Sequence, residues 1–391
     1  MMYDFSTLTD RRNQDSLKWD VEEHELPMWV ADMDFQTAPE IIEALKHRVD
    51  HGIFGYQIVP DKFYEAIQDW WQKHHQIRFE KEWMMFCTGV VPAISSMIRS
   101  LTNVGENVLV QSPVYQIFYN SILNNGRHVL SNDLVIKEGH YEIDFQDLEQ
   151  KLSDPQTTLM LLCNPHNPIG KRWDKETLQR IAELCARYHV IVIADEIHCD
   201  LCEPQHSYVP FANVSMVCKD IAITCVSASK AFNLAGLQAA CIIVENDVLR
   251  HKVLRGINTD EVAEPNSFAV CATIAAFTKG EAWLNELRCY LQENKEQVYM
   301  FIKTKLPQLN VISSEATYLL WLDCAKITPH AKDLVESIRK DTGLYITSGE
   351  EYGPNAKSFI RMNLACPRAR LMDGCERLYQ GVLSYQEKQK K

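Results

Sequence analysis

Four short apolar runs, each of strand length, set the strongest limit on how this chain folds. They are TLMLLC (158–163), VIVIADE (190–196), IAITCVSAS (221–229) and AACIIVE (239–245), and turn-forming or polar residues follow them. Continuous apolar runs of this length suit strands buried on both faces. The stretches between them carry helical spacing. Asp174 stands where it can cap a helix, and Leu178, Ile181, Ala182 and Cys185 then recur at intervals of three and four. Buried strands separated by helices make a mostly parallel sheet, so the chain is expected to be α/β. Past about residue 280 the pattern changes to long amphipathic helices around YLLWLD (318–323) and FIRMNL (359–364), read as a smaller α+β domain. The expected organisation is an N-terminal segment (1–45) packing with the small domain, a large α/β domain (46–280) and the small C-terminal domain (281–391). A length of 391 residues accommodates two domains.

Charge and cysteine usage narrow the partners. Against 40 Lys+Arg stand 52 Asp+Glu, a net charge of −12, with no long basic run. That balance argues against nucleic acid or an anionic membrane as the main partner. No apolar stretch approaches the ~20 residues that span a bilayer, and MMYDFSTLTDRR lacks the apolar core of a signal peptide. Thirteen cysteines, odd in number and scattered, read as reduced thiols used as small core hydrophobes. The expected location is the cytoplasm.

In an open α/β sheet, ligands bind beyond the carboxyl ends of the strands. CTGVVPAI (87–94) follows the run WMMF and sets Gly89 shortly before Pro92. Proline suits a first helical turn, so the N–H groups of Gly89, Val90 and Val91 would lie at a positive helix end and could seat a phosphate. An ordinary turn into a helix carries the same signature. NPHNPIG (164–170) is a turn by composition, or a rigid mount for an asparagine amide over a ligand. Asp195 ends an apolar strand, where a carboxylate needs a cation, a metal or a donor. VSASK (226–230) puts Ser227 and Lys230 at the end of another, and a lysine in a desolvated pocket can lose its proton and act as a nucleophile.

Rival chemistries share only fragments of this set. DEIH looks like the acidic box of a nucleotide hydrolase, but no G-x-x-x-x-G-K-[ST] loop exists. Ser227-x-x-Lys230 has the spacing of a serine nucleophile with its lysine, without the S-D-N and K-T-G partners. Cys199-x-x-Cys202 is a lone pair, so no metal site is expected. No G-x-G-x-x-G is present to hold a dinucleotide.

One ligand uses all the remaining features, pyridoxal 5'-phosphate. Its phosphate suits a helix N-terminus and hydroxyls, its aldehyde a lysine, its ring nitrogen a carboxylate, its 3'-oxygen a donor and its ring a flat neighbour. The order phosphate loop, aromatic, asparagine, aspartate, serine and lysine resembles the fold-type I, aspartate-aminotransferase-like superfamily. Within it, MWVADMDF (28–35), FGYQ (54–57), TGVVPAI, SPVYQIFY (112–119), NPHNPIG, ADEIHCDL (194–201), SASKAFNLAGL (227–237) and RMNLACPR (361–368) are similar to the MalY/PatB group of cystathionine β-lyases, or C–S lyases. The likeness runs from about residue 25 to about 370. It implies a mostly parallel seven-stranded sheet with helices on both faces, beside a smaller α+β domain.

Residue by residue, the resemblance makes Lys230 the lysine that bonds the aldehyde and removes the substrate's Cα proton. Asp195 becomes the partner of the ring nitrogen, Asn167 the donor to the 3'-oxygen and Tyr115 the stacking, catalytic aromatic. Gly89, Val90, Val91, Ser227 and Ser229 would hold the phosphate, with Tyr56 reaching over from the second subunit of a homodimer. Arg361 would clamp the substrate carboxylate, with Ala31, Tyr56, Tyr119 and Asn167 lining the substrate side. Two positions depart from the aminotransferase pattern. His198 replaces its tyrosine, as in the lyase group, and either meets the cofactor or braces the loop. Gln238 stands where those enzymes carry a phosphate-binding arginine. The implied reaction is α,β-elimination of L-cystathionine, and of cysteine or related S-conjugates, to thiol or hydrogen sulfide, pyruvate and ammonia. An aminotransferase on the same cofactor and a regulatory binding protein on a lyase scaffold are the alternatives.

Overall fold

The computed structural model describes residues 2–390. Its main sheet has seven strands: β1 (Met84–Cys87), β2 (Asn107–Ser112), β3 (His128–Asp133), β4 (Thr157–Cys163), β5 (Ile191–Asp195), β6 (Ala222–Val226) and β7 (Ala240–Ile243). They lie in the order β1-β7-β6-β5-β4-β2-β3. Every pairing from β6 to β3 is parallel, and β7 runs antiparallel to both its neighbours. The apolar runs are long because both faces of this sheet are covered. On β4, Leu159 and Leu161 join one hydrophobic core while Met160 and Leu162 join another. On β5, Ile193 faces one way and Val192 and Ala194 the other. This is the period of two expected of a strand between two apolar layers.

Helices supply those layers. Ile94, Met97 and Ile98 of the helix Val90–Leu101, with Leu249 and Val253 of Asp247–Thr259, cover one face. Phe63, Ile67 and Trp71 of Asp61–His75, with Leu178 and Ile181 of Lys175–Arg187, cover the other. The Asp174 carboxylate accepts from the Thr177 N–H and so caps the helix it was expected to cap.

A second sheet holds β8 (Asn310–Val311), β9 (Leu319–Asp323), β10 (Thr347–Ser348) and β11 (Phe359–Asn363), in the order β8-β9-β11-β10 and antiparallel throughout. YLLWLD and FIRMNL are therefore strands, flanked by the helices Glu281–Lys305, Ala331–Thr342 and Arg368–Gln389. Around them lies a separate core that takes in Trp19, Leu26 and Met28 from the N-terminal segment. The thirteen cysteines are all unpaired and mostly buried. Among the described residues, no helix is long and apolar enough to cross a membrane.

The NPHNPIG turn closes on Gly170, the residue where its backbone enters the left-handed region (φ 65°). A Cβ built there would stand 2.2 Å from Ser314 Oγ and 2.8 Å from the Ala316 carbonyl oxygen. That carbonyl belongs to the segment whose Glu315 and Ala316 N–H groups donate to Gly170 O, so it has little freedom to retreat. Gly170→Ala is expected to cost about 3 kcal/mol of unfolding free energy from the backbone conformation and the overlap together. Urea denaturation checks this, and a variant as stable as the parent contradicts it.

Candidate active site

Three strands of the main sheet end at one level. Cys163 of β4 lies opposite Asp195 of β5, and Asp195 lies opposite Cys225 of β6. The asparagine turn, the DEIH loop and the Ser-Ala-Ser-Lys turn therefore leave the sheet side by side. Between them and the start of the helix Val90–Leu101 is a cavity of about 240 Å³. Gly89, Val90, Val91, Tyr115, Asn167, Asp195, His198, Ser227, Ser229, Lys230 and Ala31 all line it. The structure thus gathers most of the candidates in one place.

The charges inside are shaped by removal from water. The Asp195 carboxylate accepts from the Ile197 N–H at 3.2 Å, yet burial raises its pKa to about 6 against that bond and the nearby Lys230. The Lys230 ammonium is pushed the other way, down to about 8, by burial first and by Arg361 second. Its Nζ donates to the Ala31 carbonyl at 2.8 Å. Burial, with Lys230 and Arg361, lowers His198 to about 3, so its imidazole is neutral; its Nδ1 is buried without a partner among the described residues. The Tyr115 hydroxyl is raised to about 12, mainly by burial and then by Asp195.

Arg361, on β11 of the second sheet, is outside the lining and meets the cavity through the lining residue Asn167. It donates from Nη2 to the Trp29 carbonyl (2.7 Å) and from Nη1 to Asn167 Oδ1 (3.2 Å), and it lies over the Tyr352 ring at 4.7 Å. Its buried Nε has no partner among the described residues. Because guanidinium only donates, the Asn167 oxygen must face Arg361, which turns the amide N–H₂ the other way. At the far end, Ser227 Oγ donates to the Ala239 carbonyl (2.6 Å) and accepts from the Ser229 N–H (3.1 Å). Gln238 lines the cavity there with a left-handed backbone (φ 54°).

Two candidates stand apart. The Tyr119 hydroxyl donates to the Tyr352 carbonyl (2.9 Å) and lies 3.1 Å from Ser112 Oγ, outside the cavity lining. Tyr56 is fully exposed at 101%. Sequence reasoning missed Thr88, Cys163, Ile197 and Ala239 in the lining, together with Trp29 and Tyr352 around Arg361. Thr88 and Ile197 lie inside the quoted motifs TGVVPAI and ADEIHCDL, and Cys163 and Ala239 end or begin quoted apolar runs, and that membership was their only signal. Further along the DEIH loop, His75, Cys199 and Asp200 bring potential ligand atoms within 4.8 Å of one another. His75 Nε2 (2.8 Å) and Trp70 Nε1 (3.0 Å) both meet Asp200 Oδ1, so this cluster is a hydrogen-bonded brace between the helix Asp61–His75 and the loop.

The donor set fits pyridoxal phosphate. A buried carboxylate that gains from a cationic neighbour suits a protonated ring nitrogen, a lysine of lowered pKa suits an aldehyde, and a helix start beside two serines suits a phosphate.

Residues 25–378 match the family described as aminotransferase class I and II. The chain is 42% identical to the cystathionine β-lyase PatB of Bacillus subtilis, over 96% of this chain and 98% of that protein. It is 34% identical to protein MalY of Escherichia coli, over 97% and 99%. Among solved structures, cystalysin from Treponema denticola, which contains pyridoxal 5'-phosphate, superposes with a TM-score of 0.95 at 30% identity, covering 98% of this chain and all of that one. A pyridoxal-phosphate-bound C–S lyase from Staphylococcus hominis gives 0.91 at 31% identity, covering 98% and 99%.

Beside Asp195 sits Glu196, wholly buried, with Oε1 accepting from the Phe211 N–H (2.8 Å) and Oε2 unpartnered. Burial raises its pKa from 4.5 to about 8. An acid whose pKa is higher folded than unfolded binds more protons in the native state, so it makes stability fall as pH rises from 4.5 to about 8. Glu196→Gln keeps the acceptor and removes the titration. Its unfolding free energy should decline less across that window than the parent's, as read from urea melts at several pH values; identical slopes contradict the assignment.

Proposed function

This chain belongs to the aminotransferase class I and II family, and from that premise we propose that it is a pyridoxal-phosphate-dependent carbon–sulfur β-lyase acting on L-cystathionine and related sulfur amino acids. The products are a thiol, pyruvate and ammonia, with homocysteine as the thiol from cystathionine. The observation that carries the proposal is the meeting of Lys230, Asp195 and the helix start at Gly89 in one cavity that Arg361 reaches through Asn167.

When bound, pyridoxal phosphate supplies an aldehyde and a ring that stabilises negative charge at the substrate Cα. Lys230 would hold it covalently, and the N–H groups of Gly89, Val90 and Val91 with Ser227 and Ser229 would hold its phosphate. Asp195, faced by a cation, would stay ionised and would keep a proton on the ring nitrogen. Asn167, its oxygen committed to Arg361, would have its N–H₂ free to donate to the 3'-oxygen. Tyr115, in the cavity lining, would offer its ring as the flat neighbour, and His198, neutral at its lowered pKa, would add no competing positive charge. Arg361 orients the substrate by its carboxylate, for which a planar fork is suited. Lys230, its pKa lowered to about 8, sheds its proton more readily than an ordinary lysine and would remove the Cα proton.

A second copy of the chain supports this site. Ile53, Phe54, Tyr56 and Ile58 are 54–101% exposed, an apolar segment costly to leave in water. In a homodimer this segment is covered and Tyr56 reaches the partner's cavity. Unpaired cysteines support a reducing compartment such as the cytoplasm.

Purified protein given L-cystathionine and no keto acid should make pyruvate and free thiol over many turnovers. Stalling after one equivalent identifies an aminotransferase instead. Lys230→Ala should lose at least roughly a thousandfold in rate and retain cofactor that borohydride does not fix to the chain. Light scattering should give twice the monomer mass, and a monomer that is fully active removes Tyr56 from the site.

A further inference from the structure

We propose that Tyr318 is a positioning residue for Lys230, acting through the carbonyl oxygen of Ala31; the proposal rests on the pyridoxal-phosphate reading above. The Tyr318 hydroxyl donates to Ala31 O at 2.9 Å, and Lys230 Nζ donates to the same oxygen at 2.8 Å. A carbonyl oxygen has two lone pairs, so these two donors fill it. Tyr318 is 1% exposed, and no other hydrogen bond to its hydroxyl is present among the described residues.

The surrounding backbone shows why this oxygen matters. Trp29 O receives Arg361, Val30 O and Asp32 O both receive Asn363 Nδ2, and Met33 O receives Arg11 and Asn233. Residues 29–33 thus form a strap whose carbonyls are all held by side chains. Arg361 and Asn363 come from β11 and Tyr318 directly precedes β9, its register partner. The amine on Ala31 and the guanidinium on Trp29 are therefore indexed to one short piece of backbone. Lysine has a flexible four-carbon stem, and as a base its amine must return to one position whenever it is not bonded to the cofactor. Ala31 O provides that position, and the Tyr318 hydroxyl fixes the oxygen's direction.

Tyr318→Phe removes a single oxygen and leaves Ala31 O one partner, so the fold should tolerate it. Three quantities test the role: the rate at which imine absorbance appears when pyridoxal phosphate is added to cofactor-free protein, the rate of Cα hydrogen–deuterium exchange of L-alanine on the holoenzyme, and KM for cystathionine. Both rates should fall roughly tenfold while KM changes less than about twofold. Tyr290→Phe, which removes a buried hydroxyl that accepts from the Arg368 N–H outside the site, should leave all three unchanged. The p-aminophenylalanine variant, a weaker donor of similar shape, should fall between tyrosine and phenylalanine, and its comparison with the parent decides the matter if the phenylalanine variant does not fold. Rates that do not follow donor strength overturn the proposal. If the unmodified protein forms no imine, the functional reading itself fails.

Discussion

An acid and an amine share one cleft out of water, and most of the architecture around them answers that fact. Burial raises the Asp195 carboxyl and lowers the Lys230 ammonium, so each is held where its charged form is weakest. Such a pair persists because the apolar layers on both faces of the main sheet stabilise the scaffold independently of the site. The same desolvation makes the pair chemically useful, since a carboxylate short of partners gains by facing a cation and a buried lysine gives up its proton more readily than one in water.

The second constraint is backbone exactness at the strap of residues 29–33. Its carbonyls meet side chains from the turn after β6, from β11, from the residue ahead of β9 and from the N-terminal segment itself. The strap is pinned at Asp34, which is 1% exposed and meets Lys18, Arg11, Arg370 and the Trp19 indole within 3.2 Å. Burial alone would raise the Asp34 carboxyl, but these cations and the indole hold it below the ordinary carboxylate range. A buried charge so surrounded acts less as a source of stability than as a fixed point, because any other packing would leave it unpaired.

Much of this was legible in the chain. The apolar runs announced a doubly covered sheet, Asp174 a helix start, and Lys230, Asp195 and Asn167 a common cavity, because strand ends and turns are written in local composition. The segments around YLLWLD and FIRMNL were harder. Their surroundings are helical as the amphipathic pattern suggested, but that pattern left open that the two runs pair antiparallel as β9 and β11, since each partner comes from elsewhere in the chain. Tyr318 and Tyr352 carried no motif, and buried tyrosines are common in cores.

By itself, then, the sequence determined which residue types end the strands and in what order they come, because hydrophobic period and turn chemistry act over a few residues. Only the tertiary structure decided that Cys163, Asp195 and Cys225 stand level, that Arg361 turns the Asn167 amide, and that Lys230 and Tyr318 share one carbonyl. Register, burial and hydrogen-bond direction arise between segments far apart in the chain, and no local pattern encodes them.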